Sequence, residues 1–379
     1  MSENSTKTLL PEGLRDVLPP DAAFENEVME RLARTFSLNG YSLVKPPLIE
    51  FEDTLLSGVG ADMGERIFRM LDPSTHRMLG VRNDITTQIA RIAATRLAAD
   101  PRPLRLTYSG PVLRVKGTQI EPERQFTQAG IELIGAENVT ADTEVIVVIA
   151  EALQNLGVAG LSVDLALPTL VPAILADAKL SDEAWARVRA ALDHKDVAEI
   201  AAHAGKSADL LTKLIDASGP VDHTLASVAA LSLPPKAKAE WLALDHVARA
   251  LCAAIPNVSI TVDAVENRGF EYHSGITFSV FAASLQREIG RGGRYKLVSG
   301  EAATGATLLI DALLSAVPKT SPRRRLFVAY GTPRADILAW QGKGWCVVVG
   351  LQPDQDVLSE AKRLNCNDVL KSGVPVALN

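Results

Sequence analysis

The 379-residue chain has little of several features that mark particular classes of protein. It has three cysteines, Cys252, Cys346 and Cys366, and aromatic residues make up only 5% of it. Three widely spaced cysteines exclude a disulfide framework and a zinc-binding cysteine pair, and they favour a reducing compartment, so we expect a cytoplasmic protein. The low aromatic content argues against broad surfaces for stacking nucleic-acid bases.

Positive charge and long apolar runs are also scarce. Lys and Arg number 39 against 45 Asp and Glu, and the net charge of −6 argues against general nucleic-acid binding. Runs such as Val145–Ala150 are far shorter than the ~20 residues of a membrane span. The six histidines include no H-x-x-x-H pair, so neither a metal site nor a cofactor is predicted. What remains, with 47% hydrophobic and 22% charged residues, predicts a multi-domain protein with mixed α and β structure.

The composition changes along the chain and indicates its organisation. An Ala- and Leu-rich stretch at about 174–256 interrupts alternating strand and helix signals, and Ser181 before two acids is typical of a helix start. Beyond Arg323–Arg325, the pattern predicts a small β-α-β-α-β module. We therefore predict a domain of residues 1–320 with a helical insertion at about 174–256, and a C-terminal module of residues 326–379.

Local patterns predict individual elements. A helix is predicted from Asp21, which can cap it, because apolar residues recur at every fourth position: Phe24, Val28, Leu32 and Phe36. The β-rich runs 104–115 and 126–135 flank a polar loop, which predicts an antiparallel hairpin. The Gly-rich stretch between the strand signals 277–281 and 307–310 is interpreted as turns.

Three segments are polar where a strand would bury apolar side chains. They are Val81–Thr86, the pair Tyr108–Arg114 and Arg124–Glu132, and Arg268–Phe278 followed by Arg291–Tyr295. Alternation along the second strand of the pair places Gln128 and Glu132 on one face. Buried charges are costly unless paired, so the segments form either an internal salt-bridge network or a cleft for a small zwitterion. In a cleft, Glu132 and Asp84 would hold an ammonium group, and Arg268 would hold a carboxylate.

At these residues the chain resembles the histidyl-tRNA synthetases, which are class II aminoacyl-tRNA synthetases. Gly40–Pro47 resembles motif 1 of the class, and Tyr108–Arg114 with Arg124–Glu132 resembles motif 2 of the histidyl enzymes. Arg268–His273 is similar to their histidine-specific arginine segment, whose pattern is closer to R-G-[LF]-[DE]-Y-Y. Three motifs in the same order over roughly residues 10–317 make the resemblance specific.

The resemblance implies an α+β fold: a class II synthetase-like six-stranded antiparallel sheet, flanked by helices and carrying a histidine pocket. Position by position, the pocket would consist of Asp84, Thr86, Arg114, Gln128, Glu132, Arg268, Tyr272, His273 and Tyr295. Gln128 and Glu132 match contacts to the amino group and the imidazole side, and Arg268 matches the arginine near the carboxylate. Asp84 replaces a glutamate of the synthetases, and His273 replaces a tyrosine.

The positions that handle ATP in the synthetases depart from the pattern. The acid of F-R-x-E is Lys116, one arginine of G-R-x-R is Pro122, and the arginine of motif 3 is Ala312. Fixed cations offset the charge of the pentavalent phosphate in amino-acid activation, and losing one such group typically costs ~10²–10³ in rate. The resemblance therefore implies amino-acid contacts without adenylate synthesis.

A paralogous family combines these properties, namely the regulatory subunits of ATP phosphoribosyltransferase, the first enzyme of histidine biosynthesis. Leu10–Pro19, Arg82–Arg91 and Gly269–Ile276 resemble this family more than the synthetases. The usual R-P-D-x-T-P-Q of the family is changed here, since Asn83 and Thr87 replace its two prolines.

Membership of that family would imply a regulatory subunit without catalytic activity, required with the short-form ATP phosphoribosyltransferase catalytic subunit and sensing L-histidine. It would also imply a dimer through Gly40–Pro47 within a hetero-oligomer, for example a hetero-octamer, with neither tRNA nor a membrane as partner. Two alternatives stay open: an active histidyl-tRNA ligase, and a free-standing histidine-binding sensor.

Overall fold

The computed structural model of the chain describes residues 9–56, 67–118, 122–178, 180–266, 272–319, 321, 323–353 and 356–378. The chain divides into two compact units, Met1–Pro318 and Lys319–Asn379. No helix within these described ranges is long and apolar enough to cross a membrane.

Two sheets organise the first unit. Its strands are β1 (Ser42–Leu43), β2 (Ile49–Phe51), β3 (Phe68–Leu71), β4 (Met78–Val81), β5 (Leu104–Leu113), β6 (Gln125–Ile134), β7 (Leu161–Ala166), β8 (Gly219–Pro220), β9 (Ser259–Asp263), β10 (His273–Ala282), β11 (Glu288–Lys296) and β12 (Ala302–Leu309). The larger, nine-stranded sheet has the order β1-β5-β6-β12-β11-β10-β7-β9-β8, and the smaller has the order β2-β4-β3. The six strands from β5 to β7 in the larger order form consecutive antiparallel pairs, which confirms the predicted six-stranded core. Strand β1 pairs in parallel with β5 at the sheet edge.

Helices cover the larger sheet and form the insertion. They are α1 (Asp21–Leu38), α2 (Glu52–Leu55), α3 (Thr86–Thr95), α4 (Thr140–Asn155), α5 (Leu170–Leu175), α6 (Asp182–Asp193), α7 (Val197–His203), α8 (Ala208–Ala217), α9 (Val221–Ala229), α10 (Pro235–Ala254) and α11 (Ile310–Leu313). The run α6 to α10 lies between β7 and β9, which confirms the helical insertion. Ser181 caps α6 as predicted, because its hydroxyl accepts a 3.2 Å hydrogen bond from the backbone N–H of Ala184.

Helix α1 begins where the sequence predicted. It buries Val28, Leu32 and Phe36 of the predicted stripe. The prediction that Asp21 caps this helix is wrong: Pro20 occupies the cap position, and Asp21 lies in the first turn. A carboxylate in the first turn still faces the positive end of the helix dipole.

The two faces of the larger sheet have separate apolar cores. On β6, Ile131 and Leu133 pack into the core that α1, α4 and α10 cover. Ile134, on the opposite face of the strand, packs with Tyr108 and Tyr295 into the core beneath α3. Successive residues of a strand point to opposite faces, so Gln128 and Glu132 share the second face, as predicted.

One stretch differs from its prediction. The Gly-rich segment interpreted as turns forms strand β11, at the centre of the antiparallel block. A Cβ atom on Gly292 would lie 2.2 Å from the carbonyl oxygen of Gly305 and 2.7 Å from the Phe278 ring. The glycines here allow close packing against neighbouring strands, a reason for glycine that the sequence pattern did not distinguish from turn formation.

The second unit is a small α/β module. Its elements are β13 (Arg325–Val328), α12 (Arg334–Gly342), β14 (Cys346–Val349), α13 (Val357–Arg363), β15 (Asp368–Lys371) and β16 (Val374–Ala377). Strand β13 pairs in parallel with both β14 and β15, in agreement with the predicted β-α-β-α-β order. The additional strand β16 was not predicted, because its run contains Pro375. It lies at the sheet edge, where a proline is tolerated.

Candidate functional site

A cleft lies on the β6 face that carries Glu132. It encloses about 460 Å³, open solvent included. Seven of the nine residues predicted for the histidine pocket line it: Asp84, Thr86, Gln128, Glu132, Tyr272, His273 and Tyr295. The loop before α3 and strands β6, β10 and β11 thus bring together residues that are far apart in sequence.

Glu132 forms the floor of this cleft and is 1% exposed. Its carboxylate accepts a 2.8 Å hydrogen bond from the Tyr295 hydroxyl. Burial raises the pKa of Glu132 to about 8; the nearby charge of Asp84 adds to the rise, and hydrogen bonds from Tyr295 and Thr86 oppose it. A Cβ atom on Gly305 would lie 1.8 Å from this carboxylate, so any larger residue there would have to displace it.

Gln128 and the loop before α3 hold each other in place. The Gln128 amide nitrogen donates to Asp84 at 3.1 Å, and its oxygen accepts from the backbone N–H of Ile85 at 3.2 Å. The second carboxylate oxygen of Asp84 accepts from the backbone N–H of Thr86 at 2.7 Å. Asp84 and the amide oxygen of Gln128 therefore form a preorganised acceptor pair for a ligand ammonium group.

Tyr108 lies beneath the cleft and had no predicted role. Its hydroxyl is 3.2 Å from the Thr86 hydroxyl and 2.7 Å from that of Thr307. A Cβ atom on Gly130, the β6 residue that pairs with Tyr108, would lie 2.4 Å from this hydroxyl. The pairing of a tyrosine with a glycine in the predicted hairpin was a signal that could have located this contact.

Aromatic rings form one wall of the cleft. The Tyr272 and His273 rings have centroids 3.9 Å apart and are tilted by 33°. Tyr272 is 46% exposed at the rim, whereas His273 is buried and pairs with Tyr295 across β10 and β11. A Cβ atom on Gly293 would lie 2.8 Å from the His273 ring, so that glycine makes room for the imidazole.

The other two predicted pocket residues are not among these lining residues. Arg114 lines an adjoining, wider cleft, where its Nε donates to the carbonyl of Glu123 at 3.0 Å. Its guanidinium lies 4.6 Å from the centroid of the Phe126 ring. Arg268, the predicted carboxylate partner, lies outside the described residues.

The wider cleft contains a position at which this chain departs from the ATP-handling pattern of the synthetases. It encloses about 1070 Å³, open solvent included, and combines arginines with carboxylates. Ala312 stands at the position of the motif 3 arginine and is 3% exposed in the cleft wall. Asp311 beside it forms a 3.2 Å ion pair with Arg15. Within the described ranges, no group of three or more His, Cys, Asp or Glu residues could hold a metal ion.

Arg82 fastens the loop that carries Asp84. The guanidinium is buried and donates to the carbonyls of Pro111 at 2.8 Å and Pro46 at 3.1 Å. A Cβ atom on Gly110 would lie 2.4 Å from this guanidinium. The loop that carries Asp84 is therefore tied to β5 and to the segment that follows β1.

Comparison with known proteins places this geometry in a family. Residues 13–313 match the family described as Histidyl-tRNA synthetase. Over 366 residues, the chain is 54% identical to the ATP phosphoribosyltransferase regulatory subunit of Paramagnetospirillum magneticum, and the match covers 97% of each chain. The chain belongs to the histidyl-tRNA synthetase-like family of ATP phosphoribosyltransferase regulatory subunits. The family predicted from the sequence motifs is thereby confirmed.

Solved structures agree with this family of regulatory subunits at the level of fold. An ATP phosphoribosyltransferase regulatory subunit/histidyl-tRNA synthetase from Bacillus halodurans has a TM-score of 0.82 at 24% identity, covering 96% of this chain and 97% of that one. A chain of the ATP phosphoribosyl transferase (HisG:HisZ) complex from Thermotoga maritima has a TM-score of 0.61 at 19% identity, covering 76% of this chain and 97% of that one. The class II synthetase-like fold predicted for the chain is confirmed.

Proposed function

We propose that the chain is the non-catalytic regulatory subunit of an ATP phosphoribosyltransferase, and that it binds L-histidine in the cleft above Glu132. A separate short-form catalytic subunit would carry out the transfer, making phosphoribosyl-ATP from ATP and phosphoribosyl diphosphate. The observation that carries the proposal is the contrast between the two adjoining clefts. The cleft of Glu132 and Gln128 is lined by seven of the nine predicted pocket residues, whereas the wider cleft has Ala312 at the synthetase arginine position.

The lining of the first cleft suits a small zwitterion with a polar ring. Asp84 and Gln128 offer acceptor oxygens at one end, where an ammonium group would bind. Glu132 and Tyr295 lie deeper and would face the imidazole. Arg268 is assigned to the ligand carboxylate by the motif resemblance. Histidine carries all three groups.

Three departures from the synthetase pattern argue against the histidyl-tRNA ligase alternative. Amino-acid activation requires fixed cations around the transferred phosphate. Lys116 and Pro122 are exposed, and Ala312 offers only a methyl group. Histidine-dependent ATP–pyrophosphate exchange by the isolated chain would contradict our proposal and support the ligase.

The family relationship supports the proposed partner. The similar Thermotoga chain comes from an ATP phosphoribosyl transferase complex, and the 54% identical relative is named as a regulatory subunit of that enzyme. We assign self-association to Gly40–Pro47, because this segment contains the edge strand β1. We expect a dimer within a hetero-oligomer, for example a hetero-octamer. The three free thiols favour the cytoplasm as the compartment of this assembly.

Histidine would act by changing the stability of this assembly. Such coupling is reciprocal: if histidine changes the affinity for the catalytic subunit by some factor, the catalytic subunit must change histidine affinity by the same factor. The test is a pull-down and turnover assay with the purified short-form catalytic subunit. We expect a stable complex, stimulated turnover, and inhibition by histidine. If no complex forms and turnover is not stimulated, the partner assignment is overturned and the free-standing sensor is the remaining alternative.

Calorimetry tests the pocket separately. Glu132→Ala and Arg268→Ala should each abolish measurable histidine binding, because each leaves a group of the ligand without its partner. Asp209→Ala is a matched control, since this carboxylate forms an exposed ion pair with Lys213 on α8. Unchanged histidine binding in both pocket variants would refute the site.

A further inference from the structure

The cleft above Glu132 and the wider cleft beside it meet at a shared boundary. Four residues line both clefts: Asp84, Gln128, Arg291 and Leu309. Among the described residues, Arg291 is the only lysine or arginine that lines the cleft above Glu132. The same cleft contains the carboxyl groups of Asp84 and Glu132, so Arg291 supplies the opposite charge there.

The strand register places Arg291 between the deep and the outer end of this cleft. Gly130 on β6 pairs with Thr307 on β12, and Thr307 pairs with Arg291 on β11. Gly130 lies halfway between Glu132 and Gln128, and alternation places all three on the same face of β6. Two strand spacings separate the Arg291 backbone from β6, a distance of about 10 Å. Thr307, which lies between the two, also lines the cleft, so Arg291 faces the cleft from the side opposite β6.

Glu288 orients the Arg291 guanidinium. The Glu288 carboxylate accepts hydrogen bonds from Nε of Arg291 at 2.5 Å and from Nη2 at 2.9 Å. The Ser279 hydroxyl donates to the same carboxylate at 3.1 Å and helps to hold it. The pair with Glu288 uses one edge of the planar guanidinium, and the end formed by Nη1 and Nη2 is a second fork of the kind that binds carboxylates.

We propose that Arg291 binds the carboxylate of the amino acid held above Glu132. The ammonium and carboxylate of an α-amino acid are attached to one carbon atom, so they must bind close together. Asp84 and Gln128, assigned to the ammonium, lie on the boundary that Arg291 also lines. A ligand carboxylate there would be repelled by Asp84, and a bidentate contact with the guanidinium offsets this repulsion. The inference rests on the proposed function and adds a second cation to Arg268.

The test compares two ligands that differ at the carboxylate. L-Histidine and L-histidinamide share the amino group and the imidazole, but the amide carries no negative charge. Calorimetry gives the ratio of their dissociation constants for the unmodified protein, Arg291→Gln and Arg287→Gln. Arg287 is the matched control, because it is an arginine that lines the wider cleft and is not among the lining residues described for the cleft above Glu132.

The loss in Arg291→Gln should be specific to the ligand that carries a carboxylate. Histidine binding should weaken about 10- to 100-fold, because a hydrogen-bonded charge pair is lost. Histidinamide binding should weaken less than about threefold. Arg291→Lys should recover part of the histidine affinity, since it keeps the charge but not the fork. The Arg287→Gln protein should keep the preference of the unmodified protein for histidine.

The possible failures of this test are distinguishable. If Arg291→Gln binds histidine as well as the unmodified protein does, or loses affinity for both ligands equally, the carboxylate does not bind Arg291 and the inference is overturned. The proposed histidine site would survive that result. If the unmodified protein binds neither ligand, the proposed function itself fails, and the assignment of Arg291 fails with it.

Discussion

Two buried carboxylates on opposite faces of the same sheet are paired in different ways. Asp142 on α4 accepts hydrogen bonds from Arg294 at 2.9 Å and from Thr304 at 2.6 Å. Glu132 accepts from the Tyr295 hydroxyl, and no basic side chain of the described ranges forms an ion pair with it. The surrounding residues are neighbours in sequence: Arg294 precedes Tyr295 on β11, and Thr304 precedes Gly305, which leaves space for Glu132, on β12.

We interpret the difference as one between a structural carboxylate and the carboxylate proposed to bind the ligand. Burial raises the pKa of Asp142, but the adjacent Arg294 guanidinium opposes that rise and compensates the charge within the protein. Burial raises the pKa of Glu132 to about 8, and only neutral donors oppose it. A buried carboxylate that has no ion-pair partner among the described residues and opens to a cleft is suited to a cationic ligand.

The largest predicted effect concerns the structural carboxylate. Arg294→Ala should lower the free energy of unfolding by about 3–5 kcal/mol, because Asp142 would remain buried without its partner. Urea unfolding measures the loss, and histidine affinity of the folded variant should not change. Arg249→Ala, which removes an exposed i,i+4 pair with Asp245, should cost under about 1 kcal/mol. Similar losses in both variants would contradict the distinction.

The Glu132 carboxyl group should make stability depend on pH. Because the folded protein raises the pKa of Glu132 from 4.5 to about 8, the folded state holds this proton more tightly than the unfolded state. The contribution of Glu132 is therefore present below pH 4.5 and is lost as pH rises towards 8. Between pH 5 and 8 the unfolding free energy of the unmodified protein should fall by roughly 3 kcal/mol more than that of Glu132→Gln. Parallel pH profiles would contradict this titration.

A third substitution tests the space around Glu132. Gly305→Ala places a Cβ atom 1.8 Å from the carboxylate, which must move or rotate. Histidine affinity should fall about 100-fold, or about 2.7 kcal/mol, with a stability loss of about 1–3 kcal/mol from overpacking. Gly342→Ala is the control, since no atom lies within 4 Å of its added Cβ. Full histidine affinity in Gly305→Ala would exclude Glu132 from the binding site.

The smallest effect should come from the second partner of Asp142. Thr304→Val removes one hydrogen bond and leaves the Arg294 ion pair, so it should cost about 1 kcal/mol. Thermal unfolding is the measurement, and Thr304→Ser should recover most of the loss. A cost as large as that of Arg294→Ala would mean that the hydroxyl, rather than the guanidinium, compensates Asp142.

A feature could be predicted from the sequence when the residues that determine it lie close together along the chain. Period-2 alternation placed Gln128 and Glu132 on one face, and the motif resemblance named the polar residues of the cleft. The positions missed by sequence reasoning depend on pairing between strands. The Tyr108 hydroxyl contacts that of Thr307, nearly 200 residues away, and Gly305 lies against the Glu132 side chain on the neighbouring strand. No local pattern reports such contacts.

The same limit explains two errors in predicted structure. The glycines of β11 resemble a turn in sequence, but they allow the neighbouring strands to pack closely. This requirement is seen only once the strand order of the sheet is known. Asp21 has a side chain suited to capping, but the residue before it already takes that position in α1. In both cases the residue type indicated a special backbone position, but the backbone geometry decided which structure formed there.

Arg82 has a mechanical consequence for the regulatory subunit. Its buried guanidinium donates hydrogen bonds to the backbone carbonyls of Pro46 and Pro111. Gln88 makes a similar contact with the carbonyl of Pro47 at 2.8 Å. These bonds join the loop carrying Asp84 to the sheet edge. We therefore expect a ligand that displaces Asp84 to move residues 46 and 47 as well.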